Sequence, residues 1–315
     1  MLGLAVGDAL GMPFEFLRKG EFESPKEMLP MRPDGPWKLP AGYYTDDTSM
    51  ALCIAQSLVD MKGFDPIDQL RKFVRWKDEG YMSSIGKCFD SGETTMNAIE
   101  EFRRTGEPYR NPPTDPKRVG NGILMRLAPI PMVYSKSPAD AIEIAGRSAR
   151  TTHGARVCVD SARYFSGLMV GAISGREKGK LLGDHYVPGM RYNYWIGPDA
   201  LCPEVDKIAS GSFSTCTPKP NFRAVQTLEL AMWAFEKTDS FEDAVVKAIN
   251  EGGDTDTQAA VAGQLAGAHY GASAIPAHWL SKLKDREMIE EMVAKLYQLA
   301  RGIEMGISGG EENFK

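Results

Sequence analysis

Glycine recurs at four-residue spacing in two helical stretches of this chain, as Gly3, Gly7 and Gly11 near the start and as Gly263, Gly267 and Gly271 late on. Each set falls on one helix face. Glycine there costs about 1 kcal/mol per residue against alanine, so something must compensate. Close approach to another helix backbone, which only a missing side chain permits, is the expected compensation. A small-residue packing seam would by itself account for the pattern; the acidic clusters that adjoin both stretches ask for more. The first helix is expected to begin at the first residue, as in a chain lacking a short N-terminal segment. No basic residue precedes the apolar Leu2-Gly3-Leu4-Ala5-Val6 as a signal peptide would require.

Helical periodicity dominates the rest, over 48–62, 66–78, 94–104, 138–150, 154–174, 222–236, 240–250, 257–270 and 285–301, with apolar residues at three- and four-residue steps. Alternating strands are absent, so the expected class is all-α, a single orthogonal helical bundle over 1–305 with a tail at 306–315. Pro- and Gly-rich loops fall at 30–42, 105–121 and 183–221. The last carries Tyr186, Tyr192, Tyr194, Trp195 and Phe213, and its length predicts a lid or binding excursion. Folded aromatic residues that simply pack are the plainer alternative.

Composition excludes several classes. Thirty-seven Lys and Arg against 42 Asp and Glu leave a formal charge of −5, and no polybasic run could neutralise many phosphates, so duplex nucleic acid is not expected as a partner. Five cysteines, Cys53, Cys88, Cys158, Cys202 and Cys216, are widely spaced without a C-x-x-C pair. That usage fits a reducing cytosol rather than a disulfide framework or zinc ribbon. Charge or glycine interrupts every apolar run before about 18 residues, so no membrane span is expected. The expectation is a cytoplasmic monomer, since no heptad seam is evident.

Thr45-Asp46-Asp47-Thr48 and Gly252-Gly253-Asp254-Thr255-Asp256-Thr257 each stand at a helix entrance. N-capping would explain one Asp or Thr at each, because a side-chain oxygen accepts the free N–H groups and negative charge suits the helix dipole. Two carboxylates flanked by two hydroxyls exceed that need. If the entrances face one another, four acids share one pocket, and like charges so close raise carboxylate pKa values unless cations cancel them. Oxygen ligation without His or Cys suits Mg²⁺ or Mn²⁺ better than zinc or copper. An EF-hand is excluded, since Ala259 stands where its sharp-turn glycine belongs. Capping and metal ligation both remain open on spacing alone.

Other motifs fail. Gly80 to Gly86-Lys87 is one residue too long for a phosphate-binding loop and ends in Cys88. Gly306-Ile307-Ser308-Gly309-Gly310 has the nucleophile-elbow string but no following His. Gly120-Asn121-Gly122 lacks the third glycine and the preceding strand of a dinucleotide fingerprint, though its N–H groups could meet a phosphate. Arg126 could pair with a phosphate or an internal acid. Asp8 is expected to hydrogen-bond a backbone N–H or a metal-ligating side chain.

Taken in order, Gly7-Asp8-Ala9-Leu10-Gly11, Glu15, Thr45-Asp46-Asp47-Thr48, Gly120-Asn121-Gly122 with Met125-Arg126, Thr152-His153 and Gly253-Asp254-Thr255-Asp256-Thr257 resemble the ADP-ribosylglycohydrolase family from about residue 3 to 300. The stretches Gly3 to Gly11 and Ile275-Pro276 with Trp279-Leu280-Ser281-Lys282-Leu283 look nearest to its bacterial dinitrogenase-reductase-activating, ADP-ribosylarginine-cleaving branch. The resemblance implies an all-α hydrolase with two divalent cations, Mg²⁺ or Mn²⁺. Its substrate would be an ADP-ribosylated protein and its product ADP-ribose. By motif, Thr45, Asp46, Asp47, Asp254, Asp256 and Thr257 would hold the metals. Glu15, Asp47, Asp90 and Asp256 would form the catalytic set, with Glu15 or Asp90 as the acid assisting the leaving group. Gly120, Asn121, Gly122, Met125 and His153 would lie along the ADP-ribose.

Two places depart from the family pattern. Glu93, in Cys88-Phe89-Asp90-Ser91-Gly92-Glu93-Thr94-Thr95, stands where Asn is expected. Arg223 stands where relatives tend to have Tyr, with Gln226 in place of Asp. Both would touch the acceptor pocket rather than the metals. An added Glu favours a cationic acceptor such as arginine, and Arg223 opposes it. The same chemistry on a serine-linked, small-molecule or nucleic-acid conjugate is the nearest alternative; a non-catalytic ADP-ribose binder or immunity protein is the more distant one.

Overall fold

A computed structural model describes residues 1–22, 31–109, 119–189, 194–215 and 217–304. Among them the helices are α1 (Leu2–Gly11), α2 (Asp46–Met61), α3 (Pro66–Glu79), α4 (Glu93–Thr105), α5 (Pro129–Val133), α6 (Pro138–Arg150), α7 (Arg156–Ile173), α8 (Lys178–Leu181), α9 (Pro203–Ala209), α10 (Ala224–Glu236), α11 (Phe241–Ile249), α12 (Thr255–Tyr270), α13 (Ala277–Leu280) and α14 (Arg286–Glu304). The nine periodic segments all appear as helices, within a few residues of the expected bounds. Too short to show a period, α5, α8, α9 and α13 were not anticipated.

α12 is the central helix, packed by α1, α7, α10 and α11. Residues 255–266 are buried around its whole circumference, as a helix without a polar face must be. The glycine seam is what brings α1 onto it. A Cβ at Gly3 would lie 2.2 Å from the Gly263 carbonyl oxygen, one at Gly7 2.2 Å from that of Ala259, and one at Gly11 2.3 Å from that of Thr255. The partner face therefore runs through Thr255, Ala259, Gly263 and Gly267. Gly271 does not belong to it: with φ +83° and nothing within 4 Å it ends α12 as its C-cap.

Among the described residues there is no sheet, only three isolated bridges: Arg18 with Gly252, Asp34 with Leu39, and Gly120 with Arg223. The first and third tie separate loops together, and the second closes the 30–42 loop on itself. The reciprocal bonds Phe16 N–H to Gly253 O and Gly253 N–H to Leu17 O, both 2.7 Å, clamp the segment after α1 onto the turn before α12. Gly252 has φ +75°, and a Cβ there would meet the Lys19 nitrogen at 2.5 Å, so the tight turn depends on it.

The described part of 183–221 is not structureless; it contains α9 and two 3₁₀ turns. It packs on α7, where Asp160 accepts from Cys202 N–H at 2.8 Å and Arg163 pairs with Asp199 at 3.0 Å. Trp195 and Phe213 are buried there, while Tyr192, Cys216 and the 306–315 tail lie outside the described residues. Among the described residues no helix is long and apolar enough to cross a membrane.

Candidate metal centre and cleft

Two helix entrances among the described residues are capped by their own N-cap side chain. Asp65 accepts from Asp68 N–H at 2.7 Å ahead of α3, and Ser240 from Asp243 N–H at 3.0 Å ahead of α11. At the two acidic entrances, as at most others, the N-cap residue makes no side-chain cap bond: neither Thr45 before α2 nor Asp254 before α12 does. For α2 the cap comes from α1. Asp8 accepts from Thr45 N–H and Oγ1–H at 2.9 and 3.0 Å, and from Thr48 N–H and Oγ1–H at 3.0 and 2.6 Å. With Asp8 filling that need, Asp46 and Asp47 are released from capping.

The released acids converge. Glu15, Asp90 and Asp256 each offer a carboxylate oxygen within 4.8 Å of the others. Asp46, Asp47 and Asp254 are close enough for the charge of Asp256 to act on each. Asp254 takes a 2.5 Å bond from Asn121 Nδ2, and Thr257 Oγ1 donates to Asp47 Oδ1 at 3.2 Å. Thr45 Oγ1 lies 3.4 Å from Asp256 Oδ2. The two entrances thus face one another, the condition under which four acids share one pocket, with Glu15 and Asp90 beside them.

Burial, then the charge of Asp256, raises Asp8 to about 7 and Glu15 to about 10. The same causes push Asp46, Asp47, Asp90 and Asp254 well up, and burial raises Asp256. Three buried carboxylate oxygens in this ring, Asp47 Oδ2, Asp90 Oδ2 and Asp256 Oδ1, have no hydrogen-bond partner. Orphaned acceptors of one sign, buried together, are what divalent cations would satisfy, and the all-oxygen donor set suits a hard ion. The residues present fit such a centre.

A cleft of about 390 Å³ opens above the acids. Asp46, Asp90, Asp254, Asp256 and Thr257 line it together with Glu15, and so do Gly120, Asn121, Gly122, Met125 and His153. Thr45 and Asp47 lie beneath, fully buried and off its wall. The side-chain amide of Asn121 is committed to Asp254 and to Thr227 Oγ1, at 3.0 Å, so it orients an acid while it lines the cleft. Gln264 of α12 holds Met125 in place by donating to the Leu124 and Met125 carbonyls at 2.9 and 3.1 Å. Glu93 and Arg223 both reach the cleft wall. No described residue of 183–221 does.

Arg126 is not a phosphate ligand in this arrangement. It is 1 % exposed, lies off the cleft wall, and donates to Thr152 Oγ1. Sequence reasoning missed Trp37, whose Nε1–H donates to Glu15 Oε2 at 2.7 Å and whose ring meets Phe89, beside Asp90, edge-on at 5.7 Å. Nothing in the Pro- and Gly-rich loop around it signals that contact. Also missed were the exposed rings of Phe16 and Phe222 at the mouth, 6.2 Å apart.

Comparison with known proteins agrees with this geometry. The sequence model of the ADP-ribosylglycohydrolase family matches residues 1–304. The ADP-ribosylarginine hydrolase Tri1 of Serratia proteamaculans is 35% identical over 301 residues, covering 95% of this chain and 78% of that protein. The ADP-ribosyl-[dinitrogen reductase] glycohydrolase of Rhodospirillum rubrum is 31% identical over 306 residues, covering 95% and 94%. A solved structure described as an ADP-ribosylglycohydrolase-related protein complex superposes with a TM-score of 0.80 at 40% identity over 95% of both chains.

Proposed function

The chain belongs to the ADP-ribosylglycohydrolase family, and on that premise we propose that it hydrolyses the glycosidic bond between ADP-ribose and an arginine side chain of a modified protein. The observation that carries the reading is the pair of facing acidic entrances with orphaned buried oxygens beneath a cleft. Arginine as the acceptor is supported by the names of the Serratia and Rhodospirillum relatives and by Glu93 on the cleft wall. The unpaired thiols of Cys53, Cys88, Cys158 and Cys202 suit a reducing cytosol.

Thr45, Asp46, Asp47, Asp254, Asp256 and Thr257 are the residues that would hold two Mg²⁺ or Mn²⁺ ions. When bound, such ions supply neutralising charge and Lewis acidity at an anomeric centre. Glycosidic cleavage passes through an oxocarbenium-like state whose departing group needs a proton. Glu15 is suited to supply it: burial beside Asp256 keeps its proton on, and Trp37 occupies Oε2, leaving Oε1 as the oxygen that carries it. Asp90, pushed up by burial and by Asp256, is the second acid within reach. Asn121 steadies Asp254, and Asp8 holds the α2 entrance against α1, so both act by positioning.

The test is ADP-ribose release from arginine-linked and serine-linked peptides, side by side, with Mg²⁺, Mn²⁺ or chelator. Release from the arginine linkage alone, abolished by chelation and by Asp47→Ala or Asp254→Ala, is expected. Full activity in either variant would overturn the metal assignment, and release from serine alone would overturn the acceptor.

A further inference from the structure

Arg126, Thr152 and His153 form a hydrogen-bonded chain running from the sealed interior to the cleft. The Arg126 guanidinium lies over the Phe73 ring, 4.7 Å from its centroid, with Nη1 3.3 Å from Met50 Sδ. Its Nη2 is 2.5 Å from Thr152 Oγ1, which is itself 2.8 Å from His153 Nδ1. A guanidinium has donors and no acceptor, so the direction of the first bond is fixed. Thr152 Oγ1 therefore accepts from Arg126 and has one proton to give. His153 Nδ1 is the acceptor it reaches among the described residues; a protonated Nδ1 would leave that buried hydroxyl hydrogen without an acceptor, which favours an unprotonated Nδ1 and places the proton of the neutral ring on Nε2.

That nitrogen faces the cleft. A Cβ at Gly120 would lie 3.3 Å from His153 Nε2, and His153 lines the wall beside Gly120 and Gly122. We propose that Arg126 and Thr152 are positioning residues that lock His153 as its Nε2–H tautomer, giving the cleft an uncharged, directional donor for an acceptor oxygen of the bound ADP-ribose. Burial, and then the charge of Arg126, keep the imidazole neutral by pushing it down to about 3. The relay delivers the polarity of a buried cation to the ligand without placing a formal positive charge on the wall. It also explains an arginine that touches neither ligand nor acid directly.

The naming of ADP-ribose rests on the proposed function; the tautomer does not, and the two are read separately. The chain has four histidines, so the full-length protein labelled with ¹⁵N-histidine and loaded with Mg²⁺ gives a resolvable long-range ¹H–¹⁵N spectrum, with His153→Gln assigning the resonances. The expected His153 pattern is the Nε2–H tautomer from pH 6 to 8. Thr152→Val, similar in shape but without the hydroxyl, is expected to give mixed tautomers and about tenfold weaker ADP-ribose binding, the scale of one lost hydrogen bond. Thr152→Ser is expected to restore both. A wild-type His153 found as Nδ1–H or as imidazolium overturns the proposal, as does a Thr152→Val protein with unchanged tautomer and affinity. Failure of the wild type to bind ADP-ribose while the tautomer is as expected counts against the proposed activity and against the ligand named here, leaving the relay itself supported.

Discussion

Removing metal should make this protein less stable at neutral pH than at mildly acidic pH, by an amount the buried acids set. In the metal-free fold Asp8 is held at about 7 and Glu15 at about 10, by burial and then by Asp256, whereas both titrate near 4 in the unfolded chain. A carboxyl raised on folding contributes stability that is complete below its unfolded pKa and is lost as pH rises through the folded one. From pH 5 to 7 Glu15 keeps its proton in the fold and lacks it in the unfolded chain. That costs about 3 kcal/mol over the two pH units. Asp8, half titrated at 7, adds about 2 kcal/mol. Asp46, Asp47 and Asp254 are displaced in the same direction. A loss of about 5 kcal/mol is comparable with the whole stability of an ordinary domain. Bound divalent cations would offset the charge of Asp256 and of the acids around it and so flatten the slope, while burial still holds the proton on Glu15. Urea melts at pH 5, 6 and 7, with EDTA and with Mg²⁺ or Mn²⁺, compare the two series on an otherwise identical surface. Midpoints that fall steeply with pH in EDTA and clearly less steeply with metal are expected. An EDTA series as stable at pH 7 as at pH 5, or equal slopes in both, would refute the reasoning.

Gly7→Ala should lower stability by about 2 kcal/mol net. Its Cβ would stand 2.2 Å from the Ala259 carbonyl oxygen, and forcing the helices apart outweighs the roughly 1 kcal/mol gained in helix propensity. Gly92→Ala, where a Cβ meets nothing within 4 Å, is the control for the same melt; as the N-cap of α4 it should cost no more than about 1 kcal/mol. Trp37→Phe keeps a ring against Phe89 but deletes the donor to Glu15. Steady-state kinetics should show kcat down about tenfold with KM within about twofold, the scale of one hydrogen bond made to the reacting acid; a change in KM alone would remove Trp37 from the chemistry. Glu93→Asn should weaken arginine-linked substrate relative to serine-linked substrate several-fold, and Arg223→Tyr should shift the ratio the other way, as competition assays with the two peptides would show.

The parts of this structure that were legible in the sequence are those in which a local rule is broken conspicuously. Glycines at four-residue steps inside a helix forfeit propensity, and their reason, backbone-to-backbone approach of α1 and α12, follows from the missing Cβ atoms. Spacing could not separate Gly271 from that seam, because a C-cap glycine and a seam glycine look alike until φ is known. Paired acids at two helix entrances were likewise excessive for capping, and the fold brings them together. Trp37 was illegible for the opposite reason. Its contact with Glu15 exists only after a Pro- and Gly-rich loop folds back, closed by the Asp34–Leu39 bridge, and no period encodes that. Arg126 read equally as a phosphate ligand or an internal residue, because burial is a property of the packed bundle.

The seam and the acidic site are parts of one device. Asp8 follows Gly7 directly, so the depth to which α1 sinks onto α12 sets where its carboxylate meets Thr45 and Thr48. If α1 stood off by an ångström, those bonds of 2.6–3.0 Å would stretch past useful length. The α2 entrance would then need a cap of its own, and Asp46 or Asp47 is the nearest carboxylate to supply one. Each acid diverted to capping is one fewer facing Asp254 and Asp256. A glycine that weakens α1 locally therefore keeps two carboxylates free at a site more than thirty residues further along the chain. This makes Gly7→Ala a test of the site as well as of the seam: metal affinity measured by titration calorimetry should fall together with stability, whereas Gly92→Ala should leave metal affinity unmoved.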